Sequence, residues 1–225
     1  MGANKFVVLM LLLLSATANA SLFPMFFGGL LMDYYPIWMT PRVKLEVYME
    51  TMCPDCRGFF HEQLAPTWKQ LRSIMDVEIY PYGNAKETPL SGGGYNFTCQ
   101  NGPLECQGNM MLACAQKYIH NNPTFVDYSI CVMEDSKTPI RTGKKCAEQL
   151  NVDFDPILMC SLSREGDEVL HEVAVATDNL QPKHTYVPWM VINNIHTEEI
   201  QSAALSDLKK YICGVYTGAP PSACL

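Results

Sequence analysis

The sequence predicts a mixed α/β (α+β) fold. A strand–helix–strand unit lies near the start, a strand and closing helix lie near the end, and a helical, disulfide-rich insertion separates them. Three observations predict it. Val43, Leu45, Val47 and Met49 alternate with Lys44, Glu46 and Tyr48, the period of a half-buried strand. Phe60, Leu64, Trp68, Leu71 and Met75 then recur at helical spacing. Six of the ten cysteines fall within residues 84–163, among short helical patterns. A chain of 225 residues can bury a core without disulfides, so the cysteines need another reason.

The elements follow in order. Residues 1–20 read as a signal peptide: Lys5 precedes an apolar run, and Ala18-Asn19-Ala20 is an A-x-A cleavage site. Residues 6–32 carry no charge, so an uncleaved anchor is the alternative, although Asn19, Pro24, Gly28 and Gly29 interrupt the run. Residues 21–42 stay apolar, either packed on the domain or acting as a pro-segment or membrane-contacting arm. Residues 43–83 form the first part of the core. Pro66 should kink its helix, and the second strand, around Val77 and Ile79, ends at Pro81 and Gly83.

Residues 84–163 are the insertion, with one Gly-rich loop at 91–94 and helices near 105–120, 124–134, 143–150 and 155–162. Residues 164–215 complete the core. They hold a helix at 164–179, a strand at 187–192, an Asn193-Asn194 turn, a returning strand from Ile195 and a last helix from Glu198. Residues 216–225 are a Pro-rich tail.

Hydrophobic residues make up 48% and charged residues 17%, which excludes a disordered chain. The formal charge of −7, with no basic run, argues against a nucleic-acid partner. A signal peptide and ten cysteines place the chain in the oxidising secretory pathway. Asn96-Phe97-Thr98 is the one glycosylation sequon left after cleavage.

The chemistry centres on Cys53-Pro54-Asp55-Cys56. Cys53 follows a strand and opens a helix, and Pro54 takes the first helical position, where a missing N–H costs nothing. Unpaired N–H groups and the helix dipole then favour a Cys53 thiolate. At pH 5 an ordinary cysteine is only ~0.03% thiolate, and a pKa near 6 would raise that to ~10%. Cys53 is therefore assigned as the attacking sulfur, and Cys56, one turn on and more buried, as the resolving one. Ionised Asp55 should oppose the thiolate, with Arg57 offsetting it. The alternatives are a zinc half-site, for which no second Cys-x-x-Cys exists, or an inert disulfide. No metal or organic cofactor is expected.

A Cys-x-x-Cys between strand and helix, with a later Val187-Pro188 heading a strand, resembles a thioredoxin-like core. In such proteins a cis-proline faces the cysteine pair, so Val187 and Pro188 are candidate substrate-binding residues. An ordinary edge-strand proline is the alternative.

Cys99-Gln100-Asn101-Gly102-Pro103-Leu104-Glu105-Cys106-Gln107-Gly108-Asn109, followed by Cys114, resembles the signature of gamma-interferon-inducible lysosomal thiol reductases. Only Asn101 departs from it, standing where the signature has His. Asn can keep hydrogen bonds but cannot titrate near pH 6. The resemblance spans residues 44–213. It implies a thioredoxin-like fold and reduction of disulfide-containing protein substrates, favoured at acidic pH, in the lysosome or after secretion. It also maps the redox pair onto Cys53 and Cys56. Electrons would come from a small thiol or a protein donor. Cys99, Cys106, Cys114, Cys131, Cys146, Cys160, Cys213 and Cys224 are left as structural disulfide candidates, and spacing does not choose their pairing. Cys224 could close onto Cys213 or link two chains into a disulfide-bonded homodimer. A disulfide oxidase or isomerase and a non-catalytic binding protein are the competing functions.

Overall fold

The first described strand, β1 (Val43–Met49), runs through the centre of a three-stranded sheet. The computed structural model describes residues 40–135 and 137–225. The expected signal peptide and most of the apolar segment 21–42 lie outside those residues. Along β1, Val43, Leu45, Val47 and Met49 point into the main core, while Lys44 and Glu46 stay half-exposed, as the alternation predicts.

From Pro54 to Leu71 the chain is helical, but not uniformly. Helix α1 (Pro54–Phe59) passes through a π-helical turn (Phe60–Leu64) into α2 (Ala65–Leu71). The Ala65 N–H reaches back five residues to the Phe60 carbonyl, immediately before Pro66. Pro66 cannot donate to the ladder, and the widened turn absorbs that loss. The expected kink is thus a π-turn. Its side chain Gln63 also bonds the Ser206 carbonyl and the Leu208 N–H on the last helix. Met75, expected on this helix, instead begins β2 (Met75–Pro81), because the helix has already ended.

β2 pairs with β1 in parallel, which completes the predicted βαβ unit. A short antiparallel hairpin follows, β3 (Lys86–Pro89) with β4 (Tyr95–Thr98). The Gly-rich stretch at 91–94, expected only as a loop, is part of its turn. Then come α3 (Pro103–Tyr118), α4 (Asn122–Glu134), α5 (Pro139–Leu150) and α6 (Phe154–Ser161). They lie close to the predicted spans.

Helix α7 (Arg164–Asp178) leads to β5 (Trp189–Ile192), which pairs antiparallel on the other side of β1. Asn193 and Asn194 both adopt positive φ, 50° and 64°, as the predicted turn requires. The returning strand is absent: Ile195 makes a single bridge to Ile192. Thr197 accounts for this, since its hydroxyl accepts the Ile200 N–H at 3.2 Å and so starts α8 (Glu198–Val215).

Four disulfides join Cys99–Cys106, Cys114–Cys160, Cys131–Cys146 and Cys213–Cys224. Cys224 closes onto Cys213 in its own chain, one of the two alternatives expected for it. Cys53 and Cys56 are thiols.

Candidate redox site

Residues Glu50 to Met52 turn the chain from β1 into α1, and the Cys53 N–H closes that turn on the Glu50 carbonyl at 3.3 Å. Cys53 holds the N-cap position, with extended φ and ψ of −67° and 123°. Its Sγ accepts the Cys56 N–H at 3.3 Å, one of the donors a helix start leaves unpaired. Pro54 is the first helical residue.

The two sulfurs are driven apart in acidity. The Cys53 pKa is pulled down to about 7, first by the hydrogen bond from the Cys56 thiol and then by the N–H groups of Cys56 and Asp55. Burial and the Asp55 carboxylate oppose this, the latter as expected. Cys56 is pushed well up, chiefly by burial. One sulfur is thus an anion in waiting and the other keeps its proton, the division of labour an attacking and a resolving thiol need.

Access is tighter than the sequence suggests. Cys53 is 7% exposed, against 0% for Cys56, rather than openly accessible. The Cys53 thiol faces the Val187 carbonyl at 3.8 Å. The Val187–Pro188 bond is cis. Gln201 of α8 is buried behind it, donating to the Pro188 carbonyl at 2.8 Å and accepting the Met190 N–H at 3.0 Å. A groove of about 490 Å³ opens alongside, lined among others by Asp55, Phe59, Glu62, Tyr186, Pro188 and Leu205. The structure therefore brings Cys53, Cys56, Val187 and Pro188 together. The other eight cysteines are all in disulfides, away from the pair, and Asn96 is exposed on β4.

Beyond Gln201, two features are not legible in the sequence. Glu50 is 1% exposed, with Oε1 accepting the Asn84 N–H at 2.6 Å and Oε2 unpartnered among the described residues. Its pKa is pushed up to about 7, first by burial, with Glu105 and Cys53 adding to it and the Asn84 N–H opposing. The only signal was an acid placed directly at the end of a core strand. Second, the signature is not purely a disulfide frame: its Glu105 and Asn109 bond the turn before Cys53. Asn101 does keep hydrogen bonds, both of them to Glu105. Among the described residues no cluster of three or more His, Cys, Asp or Glu could hold a metal ion.

Comparison with known proteins agrees with this geometry. Residues 44–150 match the family model described as gamma interferon inducible lysosomal thiol reductase. The chain is 37% identical to the gamma-interferon-inducible lysosomal thiol reductase of Carassius auratus, over 81% of this chain and 72% of that protein. The Mus musculus protein of the same name is 34% identical over 81% of this chain and 71% of its own length. Among solved structures, DsbA of Chlamydia trachomatis superposes with a TM-score of 0.51 at 15% identity, covering 74% of this chain and 86% of that one. That likeness speaks for the fold alone, which is thioredoxin-like. With its redox-suited cysteine pair on such a fold, the chain belongs to the gamma-interferon-inducible lysosomal thiol reductase family of thiol–disulfide oxidoreductases.

Proposed function

We propose that this protein reduces disulfides in protein substrates, with Cys53 as nucleophile and Cys56 as resolving thiol. The observation that carries the reading is the placement of two thiols three residues apart at one helix start, with the Cys53 sulfur accepting the Cys56 N–H at 3.3 Å. The Cys53 thiolate attacks one sulfur of a substrate disulfide. The other substrate sulfur leaves as a thiolate and takes a proton from solvent. Cys56 then loses its proton and attacks the Cys53 sulfur. The second substrate sulfur departs and is protonated, leaving a Cys53–Cys56 disulfide. The substrate gains two electrons and the cysteine pair loses them. A small thiol or a protein dithiol resets the pair by the same exchange.

Val187 and Pro188 support a binding role, because the Val187 carbonyl already faces the reacting sulfur and can pair with extended substrate backbone. An acidic working range is compatible with the chemistry. With a pKa of about 7, Cys53 is ~1% thiolate at pH 5, some ~30-fold more than an ordinary cysteine. This is a smaller gain than the sequence suggested. The family name, the sequon at Asn96 and the disulfides support action in the secretory pathway, in the lysosome or outside the cell.

The test is insulin-type disulfide reduction at pH 5 and pH 7. Cys53→Ser should fall to background, and Cys56→Ser should accumulate a mixed disulfide with substrate. In the parent protein, alkylation of Cys53 should run about fiftyfold faster at pH 7 than at pH 5, as the Cys53 thiolate fraction rises. Reduction surviving in Cys53→Ser would remove the assignment.

A further inference from the structure

Thr51, Glu105 and Asn109 are polar side chains with 0% exposure, and all three meet at the turn before Cys53. Asn109 Oδ1 accepts the Thr51 N–H at 2.9 Å and the Thr51 hydroxyl at 2.8 Å. That hydroxyl also lies 3.2 Å from the Glu105 carbonyl. Glu105 Oε2 accepts the Met52 N–H at 3.3 Å. Asn101 holds the same carboxylate from the other side, through its N–H to Oε1 at 2.8 Å and its Nδ2 to Oε2 at 2.7 Å. The consecutive N–H groups of Thr51 and Met52 are thus gripped by two side chains one helical turn apart on α3.

Packing alone does not explain this arrangement. Apolar residues would fill the same space but leave the Thr51 and Met52 N–H groups without acceptors. Asn109 Nδ2 is buried with no partner among the described residues, so the asparagine is kept for its oxygen at the cost of its amide nitrogen. Helix α3 also lies close against the Thr51 side chain. A Cβ at Gly108 would stand 2.4 Å from Thr51 Oγ1 and 2.8 Å from Pro139 Cβ. The Cys99–Cys106 disulfide ties the first turn of α3 to the end of β4, so the gripping residues start from a fixed base.

We propose that Thr51, Glu105 and Asn109 are positioning residues for the redox reaction, fixing from α3 the turn that sets the Cys53 sulfur against the first N–H groups of α1. The inference rests on Cys53 being the attacking sulfur. The Cys53 Sγ to Cys56 N–H contact is 3.3 Å, and such bonds weaken steeply as geometry loosens. A turn free to shift lengthens that contact and returns Cys53 toward an ordinary thiol.

The experiment is the rate of Cys53 alkylation against pH in the reduced-pair protein with its four structural disulfides intact, read at the Cys53 peptide by mass spectrometry. Thr51→Val keeps the shape and removes the hydroxyl, and it should move the Cys53 pKa upward by about 0.5. That lowers the thiolate fraction at pH 6 about threefold. Thr51→Ser, which restores the hydroxyl, should return the profile to that of the parent. Asn109→Ala should shift it in the same direction as Thr51→Val. A folded Thr51→Val or Asn109→Ala protein with an unmoved profile overturns the proposal, even if it melts earlier, because that is the mark of a purely structural contact. In the unmodified protein the Thr51 and Met52 amides should exchange with deuterium only on global unfolding. Exchange at exposed-loop rates overturns the proposal without any variant. An unmodified Cys53 that titrates like a free cysteine instead overturns the assignment of the nucleophile, and this inference with it.

Discussion

The turn between β1 and α1 and the helical insertion both bury cysteines, yet only the turn keeps them as thiols. In the insertion, Cys114 of α3 meets Cys160 of α6 and Cys131 of α4 meets Cys146 of α5, with Cα–Cα distances of 6.0 and 5.8 Å. Each bond ties one helix to another. Cys53 and Cys56 sit one turn apart on the same helix, where backbone N–H groups face the first sulfur. The comparison teaches that burial does not decide what a cysteine does. Cys114 and Cys56 are equally buried, but one staples two elements and the other waits on a neighbour whose charge the backbone stabilises.

The insertion grips the turn through Glu105 and Asn109, near the start of α3, so a break farther along it should leave the thiol chemistry intact. The largest effect expected is on stability. Replacing both Cys114 and Cys160 with Ser opens a 46-residue separation and should cost about 4 kcal/mol in denaturant unfolding. The Cys53 alkylation profile of the protein that remains folded should not move; a moved profile would show the coupling to extend beyond Glu105 and Asn109.

Next in size is Glu50. Its folded pKa of about 7 lies above the ordinary carboxylate value, so the folded state holds a proton that the unfolded chain releases. Stability from this group is therefore full below about pH 4.5 and is lost as pH rises to about 7, a difference of about 3 kcal/mol. Glu50→Gln should flatten that slope when unfolding is measured between pH 4.5 and 8. It should also lower the Cys53 pKa, since the carboxylate and the thiolate repel each other. A slope unchanged from the parent would break the assignment. Smallest is Asp55→Asn. Asp55 is exposed and its charge only weakly opposes the thiolate, so alkylation of Cys53 at pH 6 should rise about twofold. A rate titration that shows no change counts against that effect.

The two regions also differ in how legible they are. In β1 the alternation from Val43 to Met49 marks which side chains face the core, and the Pro54 helix start is written in residue types. Both emerge from local rules. The β3–β4 hairpin was harder to read, because Lys86 to Pro89 carries no apolar face and is mostly solvated. Tyr95 and Phe97, flanking the Gly-rich turn, were the available signal. The return after Asn194 failed as a strand because one hydroxyl, Thr197, captures the chain for α8. At the site, the cysteines and Val187-Pro188 were found by motif. Thr51, Glu50 and Gln201 were not, since their roles depend on partners 34 or 58 residues away, or 11 and 13 in the case of Gln201. Glu105 and Asn109 stood inside a recognised pattern, but their spacing alone gives no hint that they reach the turn.

Among the bridges, Cys114–Cys160 is inaccessible from outside, its two residues 0% and 1% exposed, while Cys53 keeps 7% exposure beside a groove lined by its neighbours Pro54 and Asp55. Thiol exchange requires an attacker to reach a sulfur, so surrounding thiols sort these bonds by reach before any question of equilibrium arises. On the proposed function, reducing equivalents would recycle the pair while the Cys114–Cys160 cross-link goes untouched. Such shielding would give the molecule a tolerance for the very reagents that the proposed turnover consumes.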